Sequence, residues 1–512
     1  MTDRVAYERG EMTQLWRVHW VSETVPTATS THPILEKWAD LPAREDRLRI
    51  KPGDPFMVDP NHHVDARLTQ FFSRSGFVQL AKSTKLSYTN DYRVFFDFLW
   101  LRGKYWDAAE PDDLFDFEDW RRRSPRNPAR ISGAKWNREL AALQRLYGWA
   151  TAQRLLKLNP LAIKTIRNRQ GQLVETADAW AKDVRSSNVR WLTPGAYRLW
   201  RDVGLRGYTP EGRRDRSWQG RHDDRNAAYA DLLFSSGLRR TEAGSLLTWE
   251  LPASAASPPQ RYFAARVAAA VTKSKRARAF YVSAPALREI EAYVGTTRRA
   301  AIRRAQLQGR YDDLDGMRIV FDRTGRSREI LHWRDRHRRT GQDNLGSLDP
   351  DERRLLFIEG PGGPEPLWLW LAEDGTPFDT HSWEAVFRAG SDRCRVVLDG
   401  VVPDPPFCTP HMCRHSFALH MLVALHHAMD QRFDLTPDDR RDYRLLYGDP
   451  WRMVKDLLGH ASEQTTRDIY LAPVADLQVR SLLLEESQPG VAELLSRIAA
   501  ASERVIDGDG AQ

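Results

Sequence analysis

Apolar residues recur at three- and four-residue steps in two long stretches of this chain, and both stretches predict amphipathic helices. In residues 84–101 the apolar stripe consists of Tyr88, Tyr92, Phe95, Phe96 and Leu99. In residues 136–153 it consists of Trp136, Leu140, Leu143, Leu146, Tyr147 and Ala150. The Asn-Pro pair at 159–160 ends the pattern, because proline disfavours helix at the residue before it. Residues 55–170 are therefore expected to form a small helical domain.

A second domain of mixed character is expected over residues 189–485. It begins near Thr193-Pro194, a helix-start signal, after a polar stretch at 171–188 that is typical of a linker. Within it, two extended apolar runs flank the basic stretch 273–278, which predicts a β-hairpin. Residues 1–54 contain few periodic apolar positions and are expected to be an irregular extension. The predicted fold class is mostly α with a small β-hairpin or sheet (α+β).

Three polar or irregular stretches interrupt the second domain and are interpreted as insertions: 206–226, 296–405 and 431–450. A connection as long as the second is uncommon unless it has structure or function of its own. The tail, residues 486–512, carries Val491, Leu494, Leu495 and Ile498 at helical spacing.

Composition narrows the class of protein. A chain of 512 residues is too long for one ordinary core, and its net charge of +8 suits a polyanionic partner. No apolar run reaches the roughly 18 residues of a membrane helix, and the N-terminus lacks a signal-peptide core, so a cytoplasmic location is expected. Cys408, His411, Cys413 and His415 lie close together but fit no common zinc pattern, so neither a metal nor another cofactor is expected.

Arg239 is the first residue suited to binding a phosphate, and Glu242, one turn further on, could hold the arginine in place. They follow Gly237, which breaks one predicted helix before the next begins. Backbone N–H groups at a helix start favour an anion, and a guanidinium there would bind two phosphate oxygens. A surface Arg-Glu pair on an ordinary helix is the alternative.

A second group follows in the last quarter of the second domain. His411 and Arg414 are three residues apart on a predicted helix and share a face, so an imidazole could take a proton beside a bound phosphate. His415, on the same helix, is expected to pack or form hydrogen bonds. His460 follows the helix-ending Gly459, and Tyr470 lies near the end of the next predicted helix. Taken singly, Tyr470 could be a buried structural tyrosine.

Together these stretches resemble the tyrosine recombinase (phage integrase) family over roughly residues 55–480. The shared motifs are Gly-Leu-Arg-x-x-Glu, His-x-x-Arg-His-Ser, Leu-Gly-His and Ile-Tyr. The resemblance implies that Tyr470 attacks a scissile phosphate to form a 3′-phosphotyrosine, without metal or ATP. It also implies that Arg239 and Arg414 clamp the phosphate and that His460 donates a further hydrogen bond. In the family a lysine on the β-hairpin is the general acid; Lys273 matches it, with Lys275 as the fallback.

The resemblance also implies the partners. Two domains joined by a polar linker would form a C-shaped clamp on double-stranded DNA, and a homotetramer would act on two DNA sites. The apolar face of the tail would then dock on a neighbouring subunit, with docking in cis as the alternative. An accessory DNA-bending or directionality factor is possible in this family, and association with the nucleoid would follow.

The sequence leaves three other functions open. A type IB topoisomerase uses similar chemistry to relax supercoils, and a non-catalytic DNA-binding adaptor could keep the fold. Telomere resolution is a third. The helical N-terminal pattern and the Leu-Gly-His step favour a recombinase.

Overall fold

The computed structural model describes residues 15–22, 40–161, 163–167, 173–181, 183, 189–252, 261–312, 314–431, 449–460, 490–502 and 504–507. The chain divides into two compact units, Met1–Ser186 and Ser187–Gln512. Most of the described elements are helices, and the sheets are small, which confirms the predicted α+β class. Among these residues, no helix has both the length and the apolar character needed to cross a membrane.

The first unit is built mainly from helices. They are α1 (Leu41–Leu48), α2 (Ala66–Arg74), α3 (Lys82–Trp100), α4 (Pro111–Arg122) and α5 (Gly133–Ala152), with 3₁₀ turns at Gly76–Gln79 and Trp106–Ala108. The two predicted stripes lie on α3 and α5 and face the core. Their members are at most 1% exposed: Tyr92, Phe95, Phe96, Leu99, Trp136, Leu140, Leu143, Leu146, Tyr147 and Ala150. Tyr88 is only partly buried.

Part of the N-terminal extension belongs to this unit, so the expectation of an irregular segment is wrong there. Strand β1 (Arg17–Trp20) pairs antiparallel with β2 (Pro55–Val58). Just before β1, Trp16 is 2% exposed, and its backbone N–H donates to Asp97 Oδ1 at 2.9 Å. A single buried indole supplies enough apolar contact to fix a short strand, although the sequence around it shows no helical period.

The predicted linker at 171–188 also begins within the first unit. Strands β3 (Ile163–Arg167) and β4 (Leu173–Ala177) form an antiparallel hairpin. After the hairpin, the side-chain amide of Asn137 on α5 exchanges two hydrogen bonds with the backbone of Ala181, at 2.8 and 3.1 Å. Much of the polar stretch is thus tied to the helical unit through backbone groups, which a hydrophobic pattern does not reveal.

The second unit surrounds one large core. Its helices are α6 (Pro194–Trp200), α7 (Asp223–Ser236), α8 (Arg240–Gly244), α9 (Ala284–Tyr293), α10 (Arg299–Leu307), α11 (Pro350–Arg353), α12 (Trp383–Val397), α13 (Pro410–Gln431), α14 (Pro450–Leu458) and α15 (Val491–Ala501). π-Helical turns at Arg201–Leu205 and Val294–Arg298 follow α6 and α9, and a 3₁₀ turn lies at Thr248–Glu250. The hairpin stands at its predicted place, where β6 (Tyr262–Val267) pairs antiparallel with β7 (Arg278–Ser283).

The long stretch 296–405 has its own structure. It contains β8 (Arg318–Thr324), β9 (Ile330–Arg334), β10 (Thr340–Asn344), β11 (Leu356–Gly360) and β12 (Gly363–Pro366), in the order β10-β9-β8-β11-β12. Arg353 anchors this sheet to the rest of the unit. Its fully buried guanidinium donates to both carboxylate oxygens of Glu250, at 2.8 and 3.1 Å, and to the carbonyl of Ser245. The stretch therefore shares the core of the second unit.

Of the other two predicted insertions, the structure describes 206–226 and little of 431–450. In 206–226, Asp215 accepts a hydrogen bond from Arg393 of α12, whose guanidinium also lies 4.9 Å from the centre of the Trp218 ring. Most of 431–450 falls at 432–448, outside the described residues.

The C-terminal segment packs in cis, which corrects the expectation that it docks on a neighbouring subunit. On α15, Leu495 and Ile498 are 3% and 2% exposed and belong to one cluster with α13, α14 and Trp191. Beyond it, β13 (Val505–Ile506) pairs in parallel with β5 (Trp191–Leu192). The apolar face of the tail finds a partner at the start of its own unit, so it needs no second subunit to be buried.

This packing predicts that Leu495→Ala lowers the free energy of unfolding by about 2–5 kcal/mol, the usual cost of truncating a buried leucine. Urea denaturation of the whole chain measures the change. Glu493→Ala, on the exposed side of the same helix, should alter stability by no more than about 0.5 kcal/mol. Equal stability of the two variants would contradict docking in cis.

Candidate active site

The turn that carries Arg239 requires glycine at position 237. Helix α7 ends at Ser236, and Gly237 has φ +64°, a left-handed conformation that glycine adopts without strain. A Cβ at this position would lie 2.2 Å from Cδ1 of Phe417, so the backbone also packs directly against α13. Arg239 follows as the residue before α8, with a quarter of its side chain exposed.

Glu242 is the hub of the site and is completely buried. Its carboxylate accepts the backbone N–H of Arg239 at 2.8 Å and the Arg239 guanidinium at 3.0 Å. It also accepts two hydrogen bonds from Arg278, at 3.1 and 2.7 Å. Burial alone would raise the pKa of Glu242, but the bonds and charge of Arg278 hold that pKa below its ordinary value. The Arg239 N–H is thus occupied by Glu242 rather than available to an anion, which corrects the expectation for this helix start.

Arg278 is a site residue that the sequence analysis did not single out. It is the first residue of β7, and besides Glu242 it donates from Nε to the carbonyl of Leu457, at 3.1 Å. The alternation of side chains along the strand could have indicated it. Phe280 and Val282 are core residues of the same strand, so Arg278 shares their face. An arginine at a core-facing position predicts a buried carboxylate partner.

Arg414 joins the two helix ends that border the site. Its guanidinium, 1% exposed, donates to the carbonyl of Gly237 at 2.6 Å and to that of Leu458 at 2.5 Å. The first carbonyl belongs to the turn before Arg239, and the second lies at the end of α14, two residues before His460. Arg414 and Arg278 therefore hold the end of α14 through neighbouring carbonyl groups.

Three imidazoles lie beside these guanidiniums. The rings of His411 and His415 meet edge-on, with centroids 4.2 Å apart. Burial, then the neighbouring His411 ring and the charge of Arg414, lower the pKa of His415 to about 3. Burial, then Arg414 and Arg239, lower the pKa of His460 to about 4 and also lower that of His411. The three rings are therefore neutral near neutral pH.

Among the described residues, the predicted general acid makes no contact with this cluster. Lys273 is exposed on the tip between β6 and β7, and among the described residues it makes no ion pair or side-chain hydrogen bond. The fallback, Lys275, is also exposed and donates to the carbonyl of Ala270 in its own tip at 3.0 Å. Tyr470 lies outside the described residues.

The arrangement is suited to binding an anion. Arg239, Arg278 and Arg414 bring three positive charges to Glu242, whose single negative charge leaves an excess of two. Neutral imidazoles beside them can donate or accept hydrogen bonds and can move a proton. Within the described part of the chain, no three His, Cys, Asp or Glu side chains converge as the ligands of a metal ion would.

Comparison with known proteins identifies part of the first unit. Residues 77–154, which run from the turn after α2 to the end of α5, match the family model described as phage integrase, N-terminal SAM-like domain. No relative was found among the curated proteins.

Several solved structures are similar at low identity. One is the Tn1549 transposon integrase in complex with transposon right end DNA: 12% identity, 81% of this chain and 99% of that chain covered, TM-score 0.44. A second is the XerH site-specific recombinase bound to palindromic difH substrate: 12% identity, 79% and 80% covered, TM-score 0.39. A third is the XerA recombinase: 14% identity, 82% and 98% covered, TM-score 0.29. Similarity of this degree says nothing by itself about what this chain does.

The buried histidines predict that stability falls in acid. Because the folded pKa of His415 lies below the unfolded value of about 6.5, the unfolded chain binds more protons below that pH. Stability is therefore full above pH about 6.5 and falls as pH drops toward the folded pKa. His415→Gln should remove up to about 1.4 kcal/mol per pH unit from the dependence of the unfolding free energy in this range.

Urea denaturation at a series of pH values measures this dependence. The matched control is His337→Gln, at an exposed hairpin tip, which should keep the wild-type slope. An unchanged slope in His415→Gln would show that protonation of His415 does not oppose folding.

Proposed function

We propose that this chain, which carries a phage integrase SAM-like domain at residues 77–154, is a site-specific DNA recombinase that cuts and rejoins DNA through a 3′-phosphotyrosine. The observation that supports this best is the convergence of three guanidiniums and three neutral imidazoles from distant segments. Such a set neutralises a phosphodiester without relying on a metal ion. The sequence motifs at the same positions supply the family assignment of the roles.

Arg239 and Arg414 are the groups proposed to hold the scissile phosphate. A guanidinium offers parallel N–H donors that match two non-bridging oxygens, and its charge opposes the negative charge that builds up as phosphorus becomes five-coordinate. Donors that are already fixed in place stabilise that state without reorganising. Glu242 fixes Arg239, and two backbone carbonyls fix Arg414.

The chemical step follows from these roles. The oxygen of Tyr470 attacks phosphorus, the bond to the 5′ oxygen breaks, and the product is a 3′-phosphotyrosine with a free 5′-hydroxyl. His411, neutral before the reaction, takes the tyrosine proton, and Lys273 gives a proton to the leaving oxygen. When a 5′-hydroxyl attacks the phosphotyrosine, the same steps run in reverse. One phosphodiester is exchanged for another at each step, so no ATP is required.

Arg278 and His415 are assigned supporting roles. Arg278 is a positioning residue, because its donors are directed to Glu242 and to the end of α14. It connects the fixed phosphate clamp with the helix that precedes His460. His415 supports the ring of His411 from the next turn of α13.

The proposed partner is double-stranded DNA, and the proposed working form is a homotetramer on two DNA sites in the cytoplasm. Because the C-terminal segment is buried in cis, contacts between subunits must come from another surface. A DNA-bending or directionality factor would act through the DNA or through that surface.

Tyr470→Phe is predicted to keep DNA binding and to lose all covalent protein–DNA complex, because the attacking oxygen is gone. A library of nicked duplexes of random sequence traps cleaved ends, and mass spectrometry of the adduct maps the attached residue. Tyr447→Phe is the matched control and should react normally. An adduct formed by Tyr470→Phe contradicts the assignment.

The adduct assay and a plasmid relaxation assay together separate the rival functions. A wild-type chain that binds DNA but forms no adduct would be an adaptor. Relaxation of supercoiled plasmid with no preferred site would indicate a topoisomerase.

Lys273→Ala is predicted to slow cleavage by about 10²–10⁴-fold, the usual contribution of a general acid. A 5′-phosphorothiolate at the scissile position provides a leaving group that needs no proton, so it should restore the rate. The substrate is a sequence recovered from wild-type adducts, and Lys275→Ala is the control. Failure of the sulfur substrate to rescue Lys273→Ala, or rescue of Lys275→Ala alone, would refute the role of Lys273.

A further inference from the structure

The first three strands of the inserted sheet form an arginine-rich surface remote in sequence from the catalytic motifs. We call strands β8, β9 and β10, with the tips 325–329 and 335–339, the β-ribbon. Residues 318–344 contain eight arginines and only four acidic residues, so the ribbon carries a strong excess of positive charge. An excess this local differs from the modest net charge of the whole chain.

The acidic residues of the β-ribbon neutralise only part of the charge at its tips. Asp343 pairs with Arg318 at the base of the ribbon, at 2.7 Å. Asp335 pairs with Arg339, at 2.9 Å. Among the described residues, no carboxylate pairs with the exposed arginines Arg326, Arg328 and Arg338.

The two faces of the β-ribbon differ. The inner face carries Val320 and Leu331, which are 4% and 0% exposed and belong to the core of the second unit. On the outer face, the edge strand β10 presents the exposed side chains of Thr340, Gln342 and Asn344. The inner face therefore fixes the ribbon to the unit, and the outer face offers hydrogen-bonding groups to a partner.

We propose that the β-ribbon is a second DNA-binding element, which lays its outer face in the major groove and places its tip arginines on the flanking phosphates. The major groove of B-DNA admits a two-stranded ribbon such as the edge pair β9 and β10, and an amide side chain such as that of Gln342 matches the edge of adenine. The side-chain oxygen of Asn344 accepts the N–H of Gly346 at 2.8 Å, and its nitrogen can donate to a base. Arginines at both tips suit phosphates on either side of the groove. Apart from Phe321, which is 58% exposed beside His332, the outer face is polar and does not suit an apolar protein surface. The proposal rests on the proposed function, which makes DNA the substrate, and adds a contact outside the cleavage site.

The charge contribution is tested with a tip variant and a matched control variant. The tip variant combines Arg326→Gln, Arg328→Gln and Arg338→Gln with Arg336→Gln, an exposed tip arginine that lies 3.7 Å from the carboxylate of Asp315. The control removes four exposed arginines outside the β-ribbon: Arg288→Gln, Arg299→Gln, Arg303→Gln and Arg310→Gln. Affinity for a labelled DNA duplex of random sequence is measured against salt concentration. Because each phosphate contact contributes about 0.9 to the slope of log affinity on log salt, the tip variant should lose about 2–4 of slope.

The control variant should keep the wild-type slope, and both variants should keep the wild-type midpoint of thermal unfolding. The groove contact is tested separately by Gln342→Ala combined with Asn344→Ala. Sites selected from a random pool by this double variant should lose preference at the positions the ribbon reads, by about 10-fold or more per lost base contact. Its salt slope should not change.

An unchanged salt slope in the tip variant would overturn the proposal. Equal affinity of the wild type for duplex RNA would also overturn it, because the major groove of A-form RNA is too narrow to admit the ribbon. Failure of the proposed function is read from a different assay, the covalent adduct. A chain that loses salt slope in the tip variant but forms no adduct is a DNA-binding protein with a functional ribbon and is not a recombinase.

Discussion

The geometry of the candidate site depends on the hydrogen bonds and ion pairs made by the buried carboxylate of Glu242. Guanidiniums at short range repel one another, and the repulsion grows as water is excluded. Glu242 offsets that repulsion for Arg239 and Arg278 and also binds the backbone N–H before α8. Removing one partner of such a buried set usually costs about 3–5 kcal/mol, since the remaining charges stay buried. One side chain therefore fixes a helix start, a strand and the Arg239 guanidinium at once.

Two arginines of the site also stabilise the C-terminal end of α14. Arg278 and Arg414 donate to the carbonyls of Leu457 and Leu458, which have no partner within the helix. These carbonyls carry the negative end of the helix dipole, so cations are favourable there. The charge that would attract a phosphate also holds in place the residues that lead to His460. A substitution of either arginine would therefore change both the charge offered to an anion and the position of the residues that lead to His460.

Much of the site was readable from sequence because its residues lie in short motifs. The shared face of His411 and Arg414 and the turn at Gly237 followed from local spacing, whereas their grouping into one site came from the family resemblance. Arg278 was missed because it looked like the last residue of a polar tip, although it is the first residue of a strand. The two-residue strands β5 and β13 have no period to detect, and whether an apolar face packs in cis depends on a partner about three hundred residues away. Long-range pairing of this kind is decided by tertiary structure, not by local pattern.

The pairing of β13 with β5 has a consequence for biosynthesis. The strand that contains Trp191 cannot form its pair until Val505 has been synthesised and has left the ribosome. At about 5–20 residues per second, that interval is roughly 15–60 s. The helical first unit can fold during this time, while the second unit remains open. A nascent or prematurely terminated chain would therefore hold a folded N-terminal unit without a finished second one, and the candidate site, which lies in the second unit, would be complete only late in translation.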